Sequence, residues 1–133
     1  LKIASITSMR SVPLHAYAPA KAAVASMTAC LAAEWGRAGV RVNAISPGYV
    51  LTEALQAAID RGDRNPEDLT SQAAMGRMVT PDEIADSVGF LLSSAAKAIT
   101  GINLPVDAGW LAGSTWQTYG GVPPAQTSPT GGR

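Results

Sequence analysis

The chain has 133 residues, and its ten lysines and arginines balance ten aspartates and glutamates, so it carries no formal net charge at pH 7. Apolar residues make up 47% and charged residues 15%, a globular composition with no basic patch for nucleic acid and no acidic tail. No apolar stretch approaches the roughly eighteen residues of a membrane span, and the first residues lack the layout of a signal peptide. We therefore expect a cytoplasmic protein whose partner is a small molecule, not a membrane or a nucleic acid.

The sequence gives little support for disulfide or metal chemistry. The single cysteine, Cys30, excludes an internal disulfide, and its apolar neighbours predict an inert core residue. Histidine, cysteine and carboxylate residues do not cluster at the spacing of metal ligands, so we expect no metal site.

The first third of the chain predicts a strand, a helix and a second strand. Residues 3–8 indicate a short strand that ends in hydroxyl side chains, and residues 17–35 are small and mostly apolar, as in a buried helix. Residues 39–48 predict a helix stop, a second strand and a turn. Two strands joined through a helix form one right-handed crossover unit of a parallel sheet.

The rest of the chain predicts further helices and a last strand. Residues 53–78 hold short helical runs on either side of a polar break. Thr80, with the proline and acids after it, predicts a capped helix start. Residues 98–109 indicate the last strand. Beyond it we expect residues 110–119 to pack on the domain or on a partner subunit, and the last ten residues to be mobile.

Tyr17 and Lys21 stand four residues apart on the first predicted helix. Side chains at this spacing share a face and lie about one turn, roughly 6 Å, apart along the axis. A nearby ammonium favours the phenolate over the phenol, which makes Tyr17 a candidate general acid and base. Helices also carry this pair by chance, so the surrounding motifs decide its meaning.

The motifs SxS, YxxxK, RVNxxxPGxxxT and VDxG follow one another between about Ile3 and Gly109. In this order they resemble the C-terminal half of a classical short-chain dehydrogenase/reductase. The resemblance implies an α/β fold, the C-terminal half of a Rossmann-type doubly wound parallel sheet in three α/β/α layers, over residues 1–112, with 113–133 as a partly mobile tail. In relatives the phosphate loop, the residue that selects NAD or NADP and the relay asparagine lie upstream of Leu1, so we expect these residues to be part of a longer chain.

The resemblance also implies catalytic roles. Tyr17 would be the general acid and base, and Lys21 would assist it and hydrogen-bond the nicotinamide ribose. Ser8 would orient the substrate oxygen, so that Ser8 and Tyr17 bind the substrate together. Ser5 and Ser11 are the lesser candidates for the serine.

The cofactor implied by the resemblance is NAD or NADP, with NAD slightly favoured. Pro47 and Gly48 match the family's turn on the nicotinamide side, where the backbone approaches the cofactor through a restricted proline and a glycine free to take unusual dihedral angles. The Val50 backbone and the Thr52 hydroxyl would meet the carboxamide and a nearby phosphate, in addition to Tyr17 and Lys21. A plain strand-to-helix turn is the alternative.

Two segments would shape the substrate pocket. The loop between Ser8 and Tyr17 forms one wall in relatives and is shorter here than in most of them, which affects the serine's position and the substrate class more than the chemistry. His15 in this loop is either a solvated histidine or a substrate contact. Residues 53–78 match the family's mobile substrate-binding lid, with an ordinary surface connection as the alternative.

The function implied by the resemblance is NAD(P)-dependent interconversion of a secondary alcohol and a ketone, with a polyol or sugar alcohol favoured. A 3-ketoacyl or steroid-type ketoreductase of the same family is one alternative. A catalytically silent oligomerisation fragment is another, because the cofactor-binding half is not in these residues. The last strand and the helix before it pair subunits in relatives, so we expect a homo-oligomer, a dimer or a tetramer.

Overall fold

A sheet of three parallel strands forms the centre of the fold. The structure is a computed structural model that describes residues 1–125, with strands β1 (Lys2–Ile3), β2 (Ala44–Pro47) and β3 (Asn103–Val106). β2 is central, since Ala44 is paired with Lys2 on one side and with Asn103 on the other. Parallel strands joined by helices confirm the predicted fold class, part of a Rossmann-type α/β sheet.

Helices connect and cover these strands. α1 (Tyr17–Trp35) joins β1 to β2 and contacts both, and α4 (Pro81–Leu92) contacts β2 and β3. Within residues 1–125, none of the helices combines the length and the apolar character needed to cross a membrane. The shorter helices are α2 (Glu53–Asp60), α3 (Pro66–Thr70) and α5 (Trp110–Gly113), and single 3-10 turns span Ile6–Ser8, Gly36–Ala38, Ser94–Ala96 and Trp116–Tyr119.

α1 buries a narrow face and leads to a left-handed glycine. Its buried residues, Thr28 and Ala32, lie one turn apart, and a 3-10 turn carries the chain to Gly39, whose φ is 81°. Cys30 lies about 200° around the helix from Thr28 and is exposed. The prediction that Cys30 is a core residue is therefore wrong for this chain. Because apolar residues surround α1 almost evenly, the sequence does not mark which face is buried.

The first strand is shorter than predicted. Only Lys2 and Ile3 pair as a strand, and Ile6–Ser8 form a 3-10 turn instead. The turn forms because the buried Ser5 Oγ accepts a hydrogen bond from the Thr7 amide at 3.2 Å. The hydroxyl-bearing residues therefore lie on a capped turn beyond the strand.

The two later strands are also shorter than predicted, because side chains supply the pairing before the ladder begins. Thr100 Oγ1 accepts from the Val42 amide at 3.0 Å. Asn43 Nδ2 donates to the Ile99 carbonyl at 2.9 Å, and Asn43 Oδ1 accepts from the Ile102 amide at 3.2 Å. These bonds satisfy the backbone groups without a strand.

The main core lies between α4 and one face of the sheet. Ile45 of β2 is fully buried against Leu91 of α4. Side chains alternate along a strand, so Ser46 faces the opposite side of the sheet. The remaining residues of this cluster are Val88, Ala96, Ile99, Leu104 and Val106.

α4 begins with the predicted cap. Thr80 Oγ1 accepts from the Glu83 amide at 3.3 Å, and the Glu83 carboxylate accepts from the Thr80 amide at 2.9 Å, which is a reciprocal capping box. Arg77 donates two further hydrogen bonds to this carboxylate, at 2.7 and 2.9 Å. The Arg77 guanidinium and, after it, the Thr80 amide lower the pKa of Glu83 from 4.5 to about 2.

Leu91→Ala is expected to destabilise the protein by about 2–5 kcal/mol, the usual cost of truncating a buried leucine, because Leu91 is 1% exposed. Leu92→Ala in the same helix is the matched control: Leu92 is 62% exposed, and its loss should be within about 0.5 kcal/mol. Urea unfolding of the full-length gene product measures both. Equal losses would contradict the assignment of the core to the Leu91 face.

Glu83→Gln is expected to destabilise the protein in a pH-dependent way. Because the pKa of Glu83 is depressed in the folded state, its contribution is complete above pH 4.5 and is lost as the pH falls towards 2. Unfolding free energies of the wild type and the variant should therefore differ near neutral pH and converge in acid. A difference that persisted at the lowest pH would contradict the ion-pair account.

Candidate active site

Tyr17 and Lys21 lie together at the start of α1. Lys21 Nζ is 5.5 Å from the centre of the Tyr17 ring, within the range of a cation–π contact. Lys21 Nζ also donates to the Ile3 carbonyl at 3.0 Å, which ties the helix start to the end of β1. Tyr17 is 48% exposed, so a ligand at this edge of the sheet can reach it.

A pocket of about 350 Å³ opens beside Tyr17. It lies near the carboxyl ends of β1 and β2, where open α/β sheets bind ligands. Tyr17 and Gly48, predicted site residues from separate segments, both line it. The other walls come from residues 5–7 and from the loop before Tyr17, together with Tyr49, Arg64 and Trp110.

An aromatic pair closes one side of this pocket. The rings of Tyr49 and Trp110 are 5.9 Å apart and meet edge to face at 73°. Trp110 packs against a buried cluster of Ala73, Val79 and Ala108. The predicted packing of the aromatic tail on the domain is therefore confirmed for Trp110.

The later tail residues are less packed. Trp116 is half-exposed, and Tyr119 is 88% exposed. Contact between this part of the tail and a partner subunit stays a prediction. The predicted mobility of the last ten residues falls mainly on residues 126–133, which lie outside the described residues.

Ser8 is not among the residues that line this pocket, although Ser5 and Thr7 are. Ser8 Oγ accepts from Asn103 Nδ2 at 3.2 Å and lies 3.4 Å from Ser46 Oγ. The fully buried Ser46 donates to Asn103 Oδ1 at 2.7 Å. Because an amide nitrogen only donates and Ser46 uses its one hydrogen on Asn103, the hydrogen of the Ser8 hydroxyl can bond either Ser46 Oγ, at 3.4 Å, or another acceptor such as a ligand.

The two lesser serine candidates have different surroundings. Ser5 Oγ caps the 3-10 turn, where it accepts from the Thr7 amide. Ser11 is exposed and lines a neighbouring surface hollow together with His15. Among the three serines, Ser8 is the one whose hydroxyl contacts side chains of both β2 and β3.

The Pro47–Gly48 turn is held tightly against β3. The Gly48 amide donates to the Val106 carbonyl at 3.0 Å, and a Cβ on Gly48 would lie 2.7 Å from Asp107 Cβ. Gly48 is not left-handed, so the predicted need for an unusual dihedral angle is wrong. Glycine is required here because the two chain segments approach so closely.

The turn leads into α2 through two further predicted residues. Val50 forms a parallel bridge with Val79, which joins the turn to the end of the 53–78 segment. Thr52 Oγ1 accepts from the Leu55 amide at 3.2 Å and so caps α2. Both residues thus have structural partners within the chain.

The 53–78 segment has the predicted local structure, with α2 and α3 on either side of a polar break. Its far end is fixed to the chain after β3: the Met75 amide donates to the Ala108 carbonyl at 3.0 Å, and the Ala74 amide donates to the Gly109 carbonyl at 3.3 Å. A side chain on Gly113 would meet the Gln72 carbonyl. Closure of this segment over a ligand stays a prediction.

Ala108 is the one non-glycine residue within 1–125 with a positive φ, at 52°. It stands where the family's motif has its first glycine. A left-handed alanine costs about 1–2 kcal/mol, and the surrounding packing against Ala73 and Val79 compensates for it.

Comparison with known proteins identifies the family. A family model described as enoyl-(acyl carrier protein) reductase matches residues 1–111. The parallel sheet, with helices packed on it and a tyrosine–lysine pair at its carboxyl edge, agrees with this match. The chain belongs to the short-chain dehydrogenase/reductase family.

Individual relatives agree with this assignment. Galactitol 2-dehydrogenase of Rhizobium johnstonii is 45% identical over 101 residues, which are 76% of this chain and 39% of that protein. A structure from Brucella melitensis 16M, named as ribose-5-phosphate isomerase, is 52% identical with a TM-score of 0.86 over 92% of this chain and 47% of that one. 4-Hydroxyisoleucine dehydrogenase complexed with NADH is 32% identical with a TM-score of 0.77 over 84% and 46%. The chain thus spans less than half the length of each of these proteins.

Sequence reasoning missed several residues of the site. Asn103 gave no local signal, because its contact with Ser8 depends on the register of three strands. Arg10 and Arg64 lie in the two segments predicted to shape the substrate pocket, but the sequence did not single them out within those segments. Ser46 was the one residue of this group with a signal in the sequence, because its hydroxyl stands at the end of a predicted buried strand, immediately before the Pro47–Gly48 turn.

Gly48→Ala is expected to destabilise the protein by about 1–3 kcal/mol, the range for overpacked sites, because the added methyl would lie 2.8 Å from the Asp107 Cα. Gly89→Ala is the matched control, since Gly89 lies within α4 with open space around it, and it should gain up to about 1 kcal/mol. Urea unfolding of the full-length gene product measures both. A neutral Gly48→Ala would mean that the turn does not depend on contact with β3.

Proposed function

We propose that the whole protein is an NAD(P)-dependent oxidoreductase that interconverts a secondary alcohol and a ketone by hydride transfer, with a polyol or sugar alcohol as its substrate class. The observation that carries the proposal is the Tyr17–Lys21 pair beside a pocket at the carboxyl edge of a parallel sheet. Similarity to galactitol 2-dehydrogenase supports the substrate class. The NADH complex of 4-hydroxyisoleucine dehydrogenase supports a nicotinamide cofactor.

Tyr17 is the proposed general acid and base. In oxidation its oxygen takes the proton of the substrate hydroxyl while a hydride leaves the same carbon, and in reduction it returns that proton to the carbonyl oxygen. The Lys21 ammonium, 5.5 Å from the ring centre, stabilises the negative oxygen electrostatically. This is the role proposed for Lys21 in the proton transfer.

Ser8 is the proposed donor to the substrate oxygen. Its oxygen already accepts from Asn103 Nδ2, so its own hydrogen can bond the oxygen that becomes negative during reaction. Ser8 lies beside the pocket lining, next to Thr7. Binding of the substrate by Ser8 and Tyr17 together would fix the reacting carbon relative to the cofactor.

The residues present fit the nicotinamide end of a dinucleotide. Lys21 uses one of its three donors on the Ile3 carbonyl, which leaves two for ribose hydroxyls. Thr52 Oγ1 accepts from the Leu55 amide, so its hydrogen is available to a phosphate oxygen. Pro47, Gly48 and the Val50 backbone would adjoin the carboxamide. NAD(P), when bound, would accept or supply the hydride.

A catalytically silent oligomerisation fragment is the second candidate. It is favoured by the chain's coverage of only 39% of galactitol 2-dehydrogenase, because most of that relative's length has no counterpart in these residues. The oxidoreductase proposal predicts that the full-length gene product binds and turns over NAD(H) or NADP(H), whereas the silent fragment predicts that it does not.

We also propose that the protein forms a homo-oligomer, a dimer or a tetramer. α1 exposes Met27 and Trp35, and α4 exposes Phe90. Apolar surface of this kind is typical of contact faces. Light scattering of the full-length gene product should give at least twice the monomer mass, and a monomer would contradict the proposal.

The full-length gene product should be incubated with NAD⁺ or NADP⁺ and galactitol, and the reduced nicotinamide followed by its absorbance. We expect reduction of at least one cofactor that depends on the polyol. Absence of reduction with either cofactor would overturn the proposal, and isomerisation of ribose 5-phosphate in the absence of a cofactor would assign a different activity.

Tyr17→Phe is expected to lower turnover by about 10²–10⁴-fold, the usual contribution of a general acid and base, and to leave the Kd for the cofactor nearly unchanged. Tyr119→Phe is the matched control, because Tyr119 is exposed and lies outside the pocket, and its turnover should equal that of the wild type. If Tyr17→Phe retains full turnover, Tyr17 does not have the proposed role.

A further inference from the structure

Two arginines line the pocket beside Tyr17. Arg10 lies in the loop before α1, and Arg64 lies in the polar break between α2 and α3. Within the described residues, no aspartate or glutamate is among the residues that line this pocket. Two positive charges from separate segments therefore face the same space without an acidic residue between them.

Most of the donors of these two guanidiniums are unused within residues 1–125. Arg10 Nη1 donates to the Met9 carbonyl at 2.9 Å. Arg64 makes no ion pair and no side-chain hydrogen bond with the described residues. Since a guanidinium has five N–H donors, nearly the full set is available to a ligand.

Three other arginines of the chain differ in this respect. Arg61 pairs with Asp63 at 2.9 Å, and Arg77 pairs with Glu83 at 2.7 Å. Arg41 donates to three backbone carbonyls. The positive charges of Arg10 and Arg64 are therefore uncompensated at the pocket, although acidic residues compensate their neighbours.

We infer that Arg10 and Arg64 bind an anionic group of the substrate, a carboxylate or a phosphate carried by a polyhydroxylated chain. Arginine presents a planar fork of donors that matches both groups. A pocket of about 350 Å³ is at the small end of ligand sites, about 300–1,000 Å³, which suits a substrate of this size. The inference rests on the proposed function, because it concerns the end of the substrate opposite the alcohol that faces Tyr17.

The anion would also connect the two segments. Arg10 stands on the wall formed by the loop before Tyr17, and Arg64 stands on the segment proposed to close over the ligand. A charge bound by both would hold these walls together, whereas a neutral substrate would leave two like charges facing each other. Anion binding therefore selects the closed arrangement as well as the substrate.

The test compares three substrates that share one carbon chain: galactitol, D-galactonate and galactitol 1-phosphate. With the full-length gene product and the preferred cofactor, we expect a higher kcat/KM for one of the two anions than for galactitol. The ratio of the anion's kcat/KM to that of galactitol should fall at least about tenfold in Arg10→Gln and in Arg64→Gln, mainly through KM. Added salt should reduce the ratio in the wild type.

Arg37→Gln is the matched control, because Arg37 is an exposed arginine on the turn after α1 and does not line the pocket. Its ratio should equal that of the wild type. The two anions distinguish a carboxylate from a phosphate as the preferred group.

The remaining outcomes separate the two proposals. Oxidation of galactitol at least as efficient as that of both anions would overturn the anion inference and leave the proposed function standing. An anion preference that neither arginine variant changes would overturn the assignment of Arg10 and Arg64. Failure to oxidise any of the three substrates with either cofactor would overturn the proposed function, and the inference with it.

Discussion

The buried hydroxyl of Ser46 connects the three chain segments that carry the site. It lies 2.7 Å from Asn103 Oδ1 on β3, 3.0 Å from the Ser5 carbonyl after β1, and 3.4 Å from Ser8 Oγ. A buried polar group without a partner costs about 1–3 kcal/mol, so each segment is held in register with the others. The turn that carries Ser8 and the start of β3 therefore depend on a side chain at the end of the central strand.

The start of α1 is fixed to the same framework through the Lys21 ammonium, which bonds the Ile3 carbonyl. The Pro47–Gly48 turn is fixed through the hydrogen bond from the Gly48 amide to the Val106 carbonyl. Both attachments use backbone atoms at the carboxyl ends of strands, so the sheet determines where Tyr17 stands relative to the turn. The chemistry proposed for this site thus needs little from the surface loops except the substrate contacts of Arg10 and Arg64.

Features governed by local rules could be predicted from the sequence. The start of α1 at Tyr17 and the capping box at Thr80 follow from neighbouring residues, and the parallel sheet follows from the order of the elements. The length of β1, the exposure of Cys30 and the contact between Asn103 and Ser8 could not be predicted, because each depends on what another segment does. β1 ends early because the Ser5 side chain caps a 3-10 turn, and the hydrophobic pattern of the sequence does not indicate such a cap.

The packing around Gly109 and Gly113 determines where the chain can be truncated. A side chain on Gly109 would meet Ala74, and one on Gly113 would meet the Gln72 carbonyl and Val122. Deletion of the residues between Gly109 and Val122 would expose the backbone that the end of the 53–78 segment contacts. An expression boundary drawn at the end of the family motifs, near Gly109, would therefore separate segments that pack against each other.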